Sequence, residues 1–533
     1  MAARRCIVSV YDKTGVVEFC TNLAKQGFEI LSTGGTAKLL SEAGVNVKQV
    51  SDVTSFPEIL GGRVKTLHPV VFGGVLARRT EDHLGELKTH NISPVDLVVC
   101  NLYPFVETTR KEGASPAEII EEIDIGGVTL LRAAAKNHES VLVVSDPDDY
   151  ARVSKALTED DCKVNASLRR RLALKAFRCT AAYDSAISAW FTEQCAQADL
   201  AADADAKQKG EELSAKDERE DPLFPSVLSL SLERVEKLRY GENPHQEGAL
   251  YRFAGEPAPF EQLQGKELSY NNLIDIDAAW AVPCDFEEPC VAIIKHTTPC
   301  GIATAASIEE AYPPALASDP VSAFGSIIAV NREVTLAFVE LIGKLFLEVL
   351  VAPSFSAEAL EWLGRRKKNC RVMRSNPAVV TRPVSLRTVH GGVVAQSADV
   401  APEVESEWRV VTKRQPTETQ MRELAFAWRA CKHVKSNAIV LCSGTATVGV
   451  GCGQPNRVEA VGLAASRAGE QAKGSVLASD AFFPFADGLR AAASAGSAAV
   501  IQPGGSIRDD EVIAAADELG IVMVCTGRRH FKH

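Results

Sequence analysis

Three short turns near the start of the chain carry the residue types that hold a phosphate: YDKTG at 11–15, STGGT at 32–36 and GGRVKT at 61–66. The first two follow apolar runs and open helical patterns, which places free backbone N–H groups where a helix N-terminus stabilises an anion. Glycines let the backbone approach closely, Thr33 and Thr36 add hydroxyl donors, and Lys13, Arg63 and Lys65 add charge. Neither G-x-x-x-x-G-K-[ST] nor G-x-G-x-x-G accompanies them, so a nucleoside monophosphate or sugar phosphate fits better than a triphosphate or dinucleotide. Further on, Tyr103 in NLYPF and the pair Asp124 and Lys136 in IDIGGVTLLRAAAKNH supply acid and base types. Taken singly, Tyr103 reads as a core aromatic and Lys136 as a solvated helix residue.

These turns need a frame. From Arg5 to about Ser145, short apolar runs alternate with helical patterns: CIVSV, a helix over Val16 to Lys25, FEILS, a helix over Thr36 to Ala43, then DLVVCNLYPF and VLVVSD. This is the β-α-β signature of a mostly parallel sheet covered by helices. A helical region follows from Leu168 to about Gln197. Residues 197–222, QADLAADADAKQKGEELSAKDEREDP, are rich in charge and alanine and hold no aromatic residue, which reads as a linker or solvated insertion with helix formers in it. Beyond Leu223 the runs CVAIIKH, GSIIAV, AIVLC, SAAVIQ and IVMVC predict a second α/β region long enough for two subdomains, with no fixed-period repeat legible. The expected division is therefore 1–196, a charged linker at 197–222, and 223–533.

Bulk properties narrow the class. The 533 residues exceed one core, and 46% hydrophobic with 24% charged residues is a globular composition. A net charge of −11 argues against broad nucleic-acid or membrane-surface binding, so basic clusters should be local to a ligand. The 14 cysteines form no C-x-x-C pair, which fits reduced thiols in a cytosol. The start, MAARRCIVSVYDKTG, does not read as a signal peptide. The greasiest stretch, Leu336 to Leu350, carries Glu340, Lys344 and Glu348 at i, i+4 spacing and reads as an amphipathic helix rather than a membrane span.

The longer words accumulate into a resemblance. SVYDKTG, STGGTAKLL, GGRVKTLHP, NLYPF and DIGGVTLLRAAAKNH, in this order, resemble the inosine monophosphate (IMP) cyclohydrolase domain of the bifunctional purine-biosynthesis enzymes, which has a methylglyoxal-synthase-like α/β/α fold. LRYGENPHQ, AIIKHTTPCG, DPVSAFGSI, KSNAIV, GCGQPNR, SDAFFPFADG and the basic end TGRRHFKH resemble the 5-aminoimidazole-4-carboxamide ribonucleotide (AICAR) formyltransferase domain, built from two cytidine-deaminase-like α/β subdomains. The likeness covers nearly the whole chain outside the linker. Two departures stand out: the family's first phosphate turn often has serine where this chain has Tyr11, and the acidic stretch before LRYGENPHQ is longer than usual.

The resemblance implies two reactions. In the first, 10-formyltetrahydrofolate, as co-substrate, gives its formyl group to the poorly nucleophilic AICAR amine. His296 would accept the amine proton and Lys295 would stabilise the oxyanion, tasks that suit an imidazole and a fixed cation. A Lys-His pair alone is usually a surface feature; its place after the strand-like VAII gives it weight. Arg239, Tyr240 and Arg529 would hold the phosphate or orient the ring, Asn437 would bond the reacting region, and Arg457, Val458, Phe482, Asp487 and Ser506 would surround folate and substrate. In the second reaction the carboxamide nitrogen attacks the formyl carbon and water leaves, an intramolecular step that needs modest acid-base help. Lys136 is the implied proton donor and acceptor, with Asp124, Tyr103, Lys65 and Thr66 around the reacting groups. Lys13, Thr14, Thr33, Gly34, Gly35, Thr36, Arg63, Asn101, Ile125 and Gly126 are the implied substrate contacts. No metal is implied for the chemistry, and a homodimer is expected.

Two rival readings have specific weaknesses. A zinc deaminase would use His245-Gln246-Glu247 as H-x-E, but Pro299-Cys300 lacks the second cysteine of P-C-x-x-C. A non-catalytic sensor of a phosphorylated metabolite would need the phosphate grip but not Lys136, Lys295 and His296.

Overall fold

In the first 150 residues the runs of Val, Ile and Leu are too continuous for a sheet with one wet face, and they fold as strands buried on both sides. The computed structural model describes residues 4–159, 164–209, 221, 223–379 and 383–533. The chain divides into two compact units, Met1–Ser231 and Leu232–His533.

The first unit holds a five-stranded parallel sheet of β1 (Arg4–Ser9), β2 (Phe28–Ser32), β3 (Val47–Gln49), β4 (Leu97–Cys100) and β5 (Leu142–Val144), in the order β3-β2-β1-β4-β5. The helix Val16–Lys25 buries Val16, Phe19, Cys20 and Leu23, the i, i+3, i+4, i+7 stripe of a helix lying on a sheet. The helix Ile125–Lys136 buries Leu130, Leu131 and Ala134 in the same core, and Leu168, Leu172 and Ala176 of the 44-residue helix Ala166–Lys209 join them. Chain order reverses at β1, with β2 on one side and β4 on the other. Ligands of such sheets bind at the carboxyl ends of the strands beside this switch point. The turns after β1, β2 and β4 are YDKTG, STGGT and NLYPF. Of the stretch expected as a linker, 197–209 continue the long helix, and 210–220 and 222 lie outside the described residues.

The second unit begins with a hairpin of β6 (Leu232–Leu238) and β7 (Gly248–Phe253), followed by β8 (Phe260–Gln264), β9 (Cys290–Lys295), β10 (Thr298–Thr304), β11 (Ser326–Val330), β12 (Leu347–Ala352) and β13 (Arg371–Ser375). A second hairpin, β14 (Val384–Val389) and β15 (Gly392–Ser397), precedes β16 (Arg409–Val410), β17 (Ile439–Ser443), β18 (Ala446–Gly451), β19 (Val476–Ser479), β20 (Ala499–Gln502) and β21 (Val522–Cys525). One twelve-stranded sheet runs β16-β21-β20-β19-β17-β18-β10-β9-β11-β12-β13-β8. Its halves have the same plan: an edge strand, a helix, an antiparallel hairpin, then three parallel strands with helices between. They meet at β10 and β18, where Ala303 pairs with Ala446. This duplication was invisible as a sequence repeat, because each half fills the same plan with different side chains. One face of the sheet is a core shared by both halves, with Ile276, Ile294, Trp428 and Val440, and the other face holds two separate cores.

Candidate active sites

In the first unit the expected residues form a chain of contacts across the switch point. The Asn101 carboxamide accepts from the backbone N–H of Tyr11 (2.6 Å) and Asp12 (3.0 Å) and donates to the Asp12 carbonyl (2.9 Å), which stitches the turn after β1 to the turn after β4. The Thr14 N–H donates to Asp12 Oδ1 at 2.9 Å. Lys13 Nζ donates to the Tyr11 carbonyl at 3.1 Å, and the Tyr11 ring packs edge-on against Tyr103 at 5.8 Å. The buried Thr36 hydroxyl donates to the Val10 carbonyl at 2.9 Å and is thereby occupied. Thr33, the N-cap of the helix Gly34–Glu42, makes no side-chain capping bond, so that helix presents Gly34 and Gly35 amides at its start.

The third turn folds over the second. A Cβ on Gly62 would lie 2.6 Å from Lys65 Cε, and Lys65 Nζ reaches within 3.3 Å of where a Gly34 Cβ would stand, so only glycine at 62 lets the lysine lie here. Thr66 is buried, and its Oγ1 stands 3.2 Å from the Cβ that Gly126 lacks. Gly126 and Ile125, the latter 60% exposed, open the helix Ile125–Lys136, whose N-cap is Asp124. Asp124 Oδ1 accepts the Gly127 N–H at 2.6 Å. Burial pushes its carboxyl up, against those bonds and the charge of Lys65. Burial, and then the Asp124 charge, also push the Tyr103 phenol up.

Two expected residues stand differently. Arg63 points to Glu121 in an exposed ion pair. Lys136 lies in the last turn of the helix that Asp124 caps, about 18 Å from it at 1.5 Å rise per residue. Three supporting groups were not legible in the sequence. The Tyr183 hydroxyl accepts the Asp124 N–H (2.9 Å) and donates to the Glu122 carbonyl (2.7 Å), Glu58 faces Lys65 at 3.8 Å, and Glu121 holds Arg63. Each reaches its partner through packing, and no local pattern marks it.

In the second unit Lys295 ends β9 and donates to the Phe324 carbonyl at 2.7 Å. His296 and Thr297 form the two-residue loop between β9 and β10, with Thr298 paired to Lys295. The His296 side chain is exposed at this loop. Asp275, on the helix Tyr270–Cys284, accepts the Thr297 N–H at 2.7 Å. Arg239 lies over the Tyr240 ring at 5.0 Å, and their turn is tied to the same helix by Asn271, which donates to the Glu242 carbonyl at 3.2 Å.

Asn437 and Arg457 are engaged with each other. Arg457 Nη2 donates to Asn437 Oδ1 at 2.7 Å, while Nη1 donates to Ser479 Oγ (2.8 Å) and Asp480 Oδ1 (2.6 Å). Arg457 is 8% exposed and Asp480 0%, so the guanidinium is a hub inside the protein. Val458 follows Arg457 at the start of the helix Arg457–Ala468, beside Gly488, and Phe482 is half-buried. The exposed Asp487 accepts the Gly488 N–H at 2.7 Å and lines a surface cavity of about 480 Å³ with Phe485, Arg490, Glu511 and Glu518. Ser506 sits in the loop after β20, its N–H donating to Asp509 at 3.1 Å.

The C-terminal tail is threaded onto this region. Ser436 N–H donates to the Lys532 carbonyl (2.9 Å) and Lys532 N–H to Ser436 Oγ (3.2 Å). The His530 ring is buried, with Nδ1 at 2.6 Å from Asp399 and Nε2 at 3.0 Å from Glu403. Burial pushes its pKa down, but the bonds to the two carboxylates outweigh this and lift it to about 9. The tail so held presents Arg529, exposed and 4.5 Å over the Phe531 ring. Among the described residues no three His, Cys, Asp or Glu side chains converge as a metal site, and Cys300 is buried.

A switch point on a parallel sheet beside three glycine-bearing turns, together with a Lys-His hairpin in a duplicated α/β unit, defines a two-unit α/β protein whose candidate residues are of phosphate-binding and acid-base type. Residues 15–129 match the MGS-like domain family, and residues 134–467 match the AICARFT/IMPCHase bienzyme family. The bifunctional purine biosynthesis protein PurH of Chloroflexus aurantiacus is 52% identical, across 99% of this chain and 98% of its own. The protein of that name from Desulfitobacterium hafniense is 49% identical, across 99% and 100%. A solved chain described as the crystal structure of ForH is 40% identical over 35% of this chain, with a TM-score of 0.33 that bears no weight on the fold. The chain belongs to the AICARFT/IMPCHase bienzyme family of bifunctional purine biosynthesis enzymes, with AICAR formyltransferase and IMP cyclohydrolase activities.

Proposed function

We propose that formyl transfer from 10-formyltetrahydrofolate to AICAR takes place at the Lys295-His296 hairpin of the second unit, and ring closure of formyl-AICAR at the switch point of the first. The observation that carries the first assignment is His296, an exposed imidazole at the tip of a hairpin whose preceding residue is the anchored Lys295. The imidazole takes the proton from the AICAR amine as it attacks the formyl carbon, Lys295 stabilises the oxyanion, and on collapse the folate nitrogen takes that proton back as its bond to the formyl carbon breaks and tetrahydrofolate leaves. Arg239, Tyr240 and Arg529 bind the phosphate and ring, and Phe482, Asp487 and Val458 border the folate.

For ring closure, the helix start at Gly34-Gly35 with Lys13, Thr14 and Thr33 takes the phosphate. Lys65 steadies negative charge on the formyl oxygen as the carboxamide nitrogen attacks, and Asp124 takes the proton that this nitrogen releases. The Asp124 carboxyl, pushed up by burial, is suited to return it to that oxygen, and the N–H of the former formamide, passed on through Lys136 as proton donor and acceptor, supplies the second proton with which the oxygen leaves as water. We place the enzyme as a homodimer. Lys136 and Asp124 at opposite ends of one helix reach the same substrate only from two chains, and the second unit carries exposed apolar Val321, Phe324 and Ile507. The cysteines among the described residues are unpaired, which fits a reducing cytosol.

The test supplies AICAR and 10-formyltetrahydrofolate to wild type and to His296→Ala, then formyl-AICAR to both. The variant should lose formyl transfer and keep ring closure. Loss of both in a folded variant would contradict separate sites.

A further inference from the structure

The turn that carries His296 is strained. A two-residue hairpin loop with both central residues at positive φ is ordinarily made by Asn-Gly or a close relative. Here φ is 51° at His296 and 60° at Thr297, and Thr297 is β-branched, the residue type least at ease in the left-handed region. The corresponding loop in the other half, between β17 and β18, is Gly444-Thr445, where Gly444 at φ 60° is the left-handed residue. One half solves the turn with glycine, and the other does not.

Something must hold the second solution in place. Asp275 Oδ1 accepts the Thr297 N–H at 2.7 Å. In the other half Glu423 Oε1 accepts the Gly444 N–H at 3.0 Å. Asp275 and Glu423 occupy the same position in equivalent helices, Tyr270–Cys284 and Glu418–Lys432. The fold thus supplies a carboxylate clamp at both hairpins. Only in the first half does the clamped loop lack glycine and carry an imidazole. We propose that Asp275 is a positioning residue for formyl transfer: its carboxylate holds the His296-Thr297 loop left-handed and so aims the His296 imidazole at the substrate amine. The proposal rests on the reading of His296 as proton acceptor. Without the clamp the loop relaxes toward conformations ordinary for threonine, the His296 Cα–Cβ bond swings, and an acceptor displaced by about 1 Å loses roughly 100-fold in rate.

The test is a set of variants assayed for both activities in the full chain. Asp275→Ala should lower kcat of formyl transfer by about 10- to 100-fold with the KM for AICAR little changed, and leave cyclisation of added formyl-AICAR intact. Asp275→Asn, which keeps an acceptor oxygen, should retain most of the activity, and Glu423→Ala should leave formyl transfer near wild type. In a Thr297→Gly background, where the left-handed loop no longer needs holding, Asp275→Ala should cost markedly less than in wild type. Should Asp275→Ala not fold, Asp275→Ser serves, being too short to reach. A kcat within twofold of wild type for Asp275→Ala, or an equal penalty with and without Thr297→Gly, overturns the proposal. If His296→Ala itself keeps formyl transfer, the reading of His296 falls and this proposal with it. If His296→Ala is inactive while Asp275→Ala is not, the clamp alone is wrong.

Discussion

Asp124 and Lys136 stand at opposite ends of a single twelve-residue helix, the first as its N-cap and the second in its last turn. The α-helix is a ruler, and it keeps the two side chains of one chain from meeting on one small ligand. If both serve ring closure, they come from different protomers. Asp124→Ala and Lys136→Ala should each lower cyclisation by about 100-fold, the scale of a lost acid-base group. Mixed in equal amounts and allowed to exchange subunits, they should regain about a quarter of wild-type cyclisation, because half the dimers are mixed and each of those has one intact site. No recovery after verified exchange would place the two residues in separate roles.

Lys65 lies against Gly34 and faces Glu58, and its charge favours the ionised form of Asp124. Lys65→Ala should reduce cyclisation of formyl-AICAR by about 100-fold, as for removal of a charge-stabilising group. Formyl transfer should be unaffected. Steady-state assays with each substrate supplied separately check the split, and an equal fall in both activities would count against Lys65 acting at the first site.

His530 is pinned between Asp399 and Glu403, with Arg528 also at 3.7 Å from Glu403. Both ring nitrogens face carboxylates, so the ring is held in its charged form, at a pKa lifted to about 9. Because the folded value exceeds the ordinary 6.5, the stabilisation is full below about pH 6.5 and fades as pH rises through about 9. His530→Ala should cost about 2–4 kcal/mol at pH 6 by removing the cation nearest to Glu403 and Asp399. Urea midpoints of wild type and variant should converge between pH 6.5 and 10; a constant gap would mean that the ring is neutral. Glu403 is half-buried, which pushes its carboxyl up, but the bond to His530 holds it below the ordinary carboxylate range, so its share is lost on the acid side as it protonates.

Arg457 and Asp480 form a buried pair, with Asn437 on the other guanidinium nitrogen. Arg457→Ala leaves the fully buried Asp480 uncompensated and should destabilise the fold by about 3–5 kcal/mol. A thermal melt checks this. A folate-binding arginine would instead raise the folate KM with an unchanged melting temperature.

Element types and the local chemistry were legible because they are written in short-range pattern. The β-branched runs of the first unit became parallel strands, and the three glycine-bearing turns appeared where their neighbours required, two at strand ends and the third over Gly34. The family words named most of the residues proposed for the two sites. The duplicated plan of the second unit was not legible, since equal backbone paths tolerate unequal side chains: Gly444 and His296 occupy the same place. Nor were Asp275, Tyr183 and Glu121, whose partners are remote in sequence or set by helix geometry.

By itself, then, the sequence determined which groups are available: phosphate-type turns, the Lys295-His296 pair, the acids and lysines of IDIGGVTLLRAAAKNH, and two α/β regions. Only the tertiary structure decided which of them meet. It set Lys65 on Gly34 and Thr66 on Gly126, occupied Asn101 with the Tyr11-Asp12 turn and Arg457 with Asp480, and placed Lys136 a helix length from Asp124. The physical reason is that side-chain neighbourhood depends on sheet order, helix rise and close packing, which spacing along the chain does not specify.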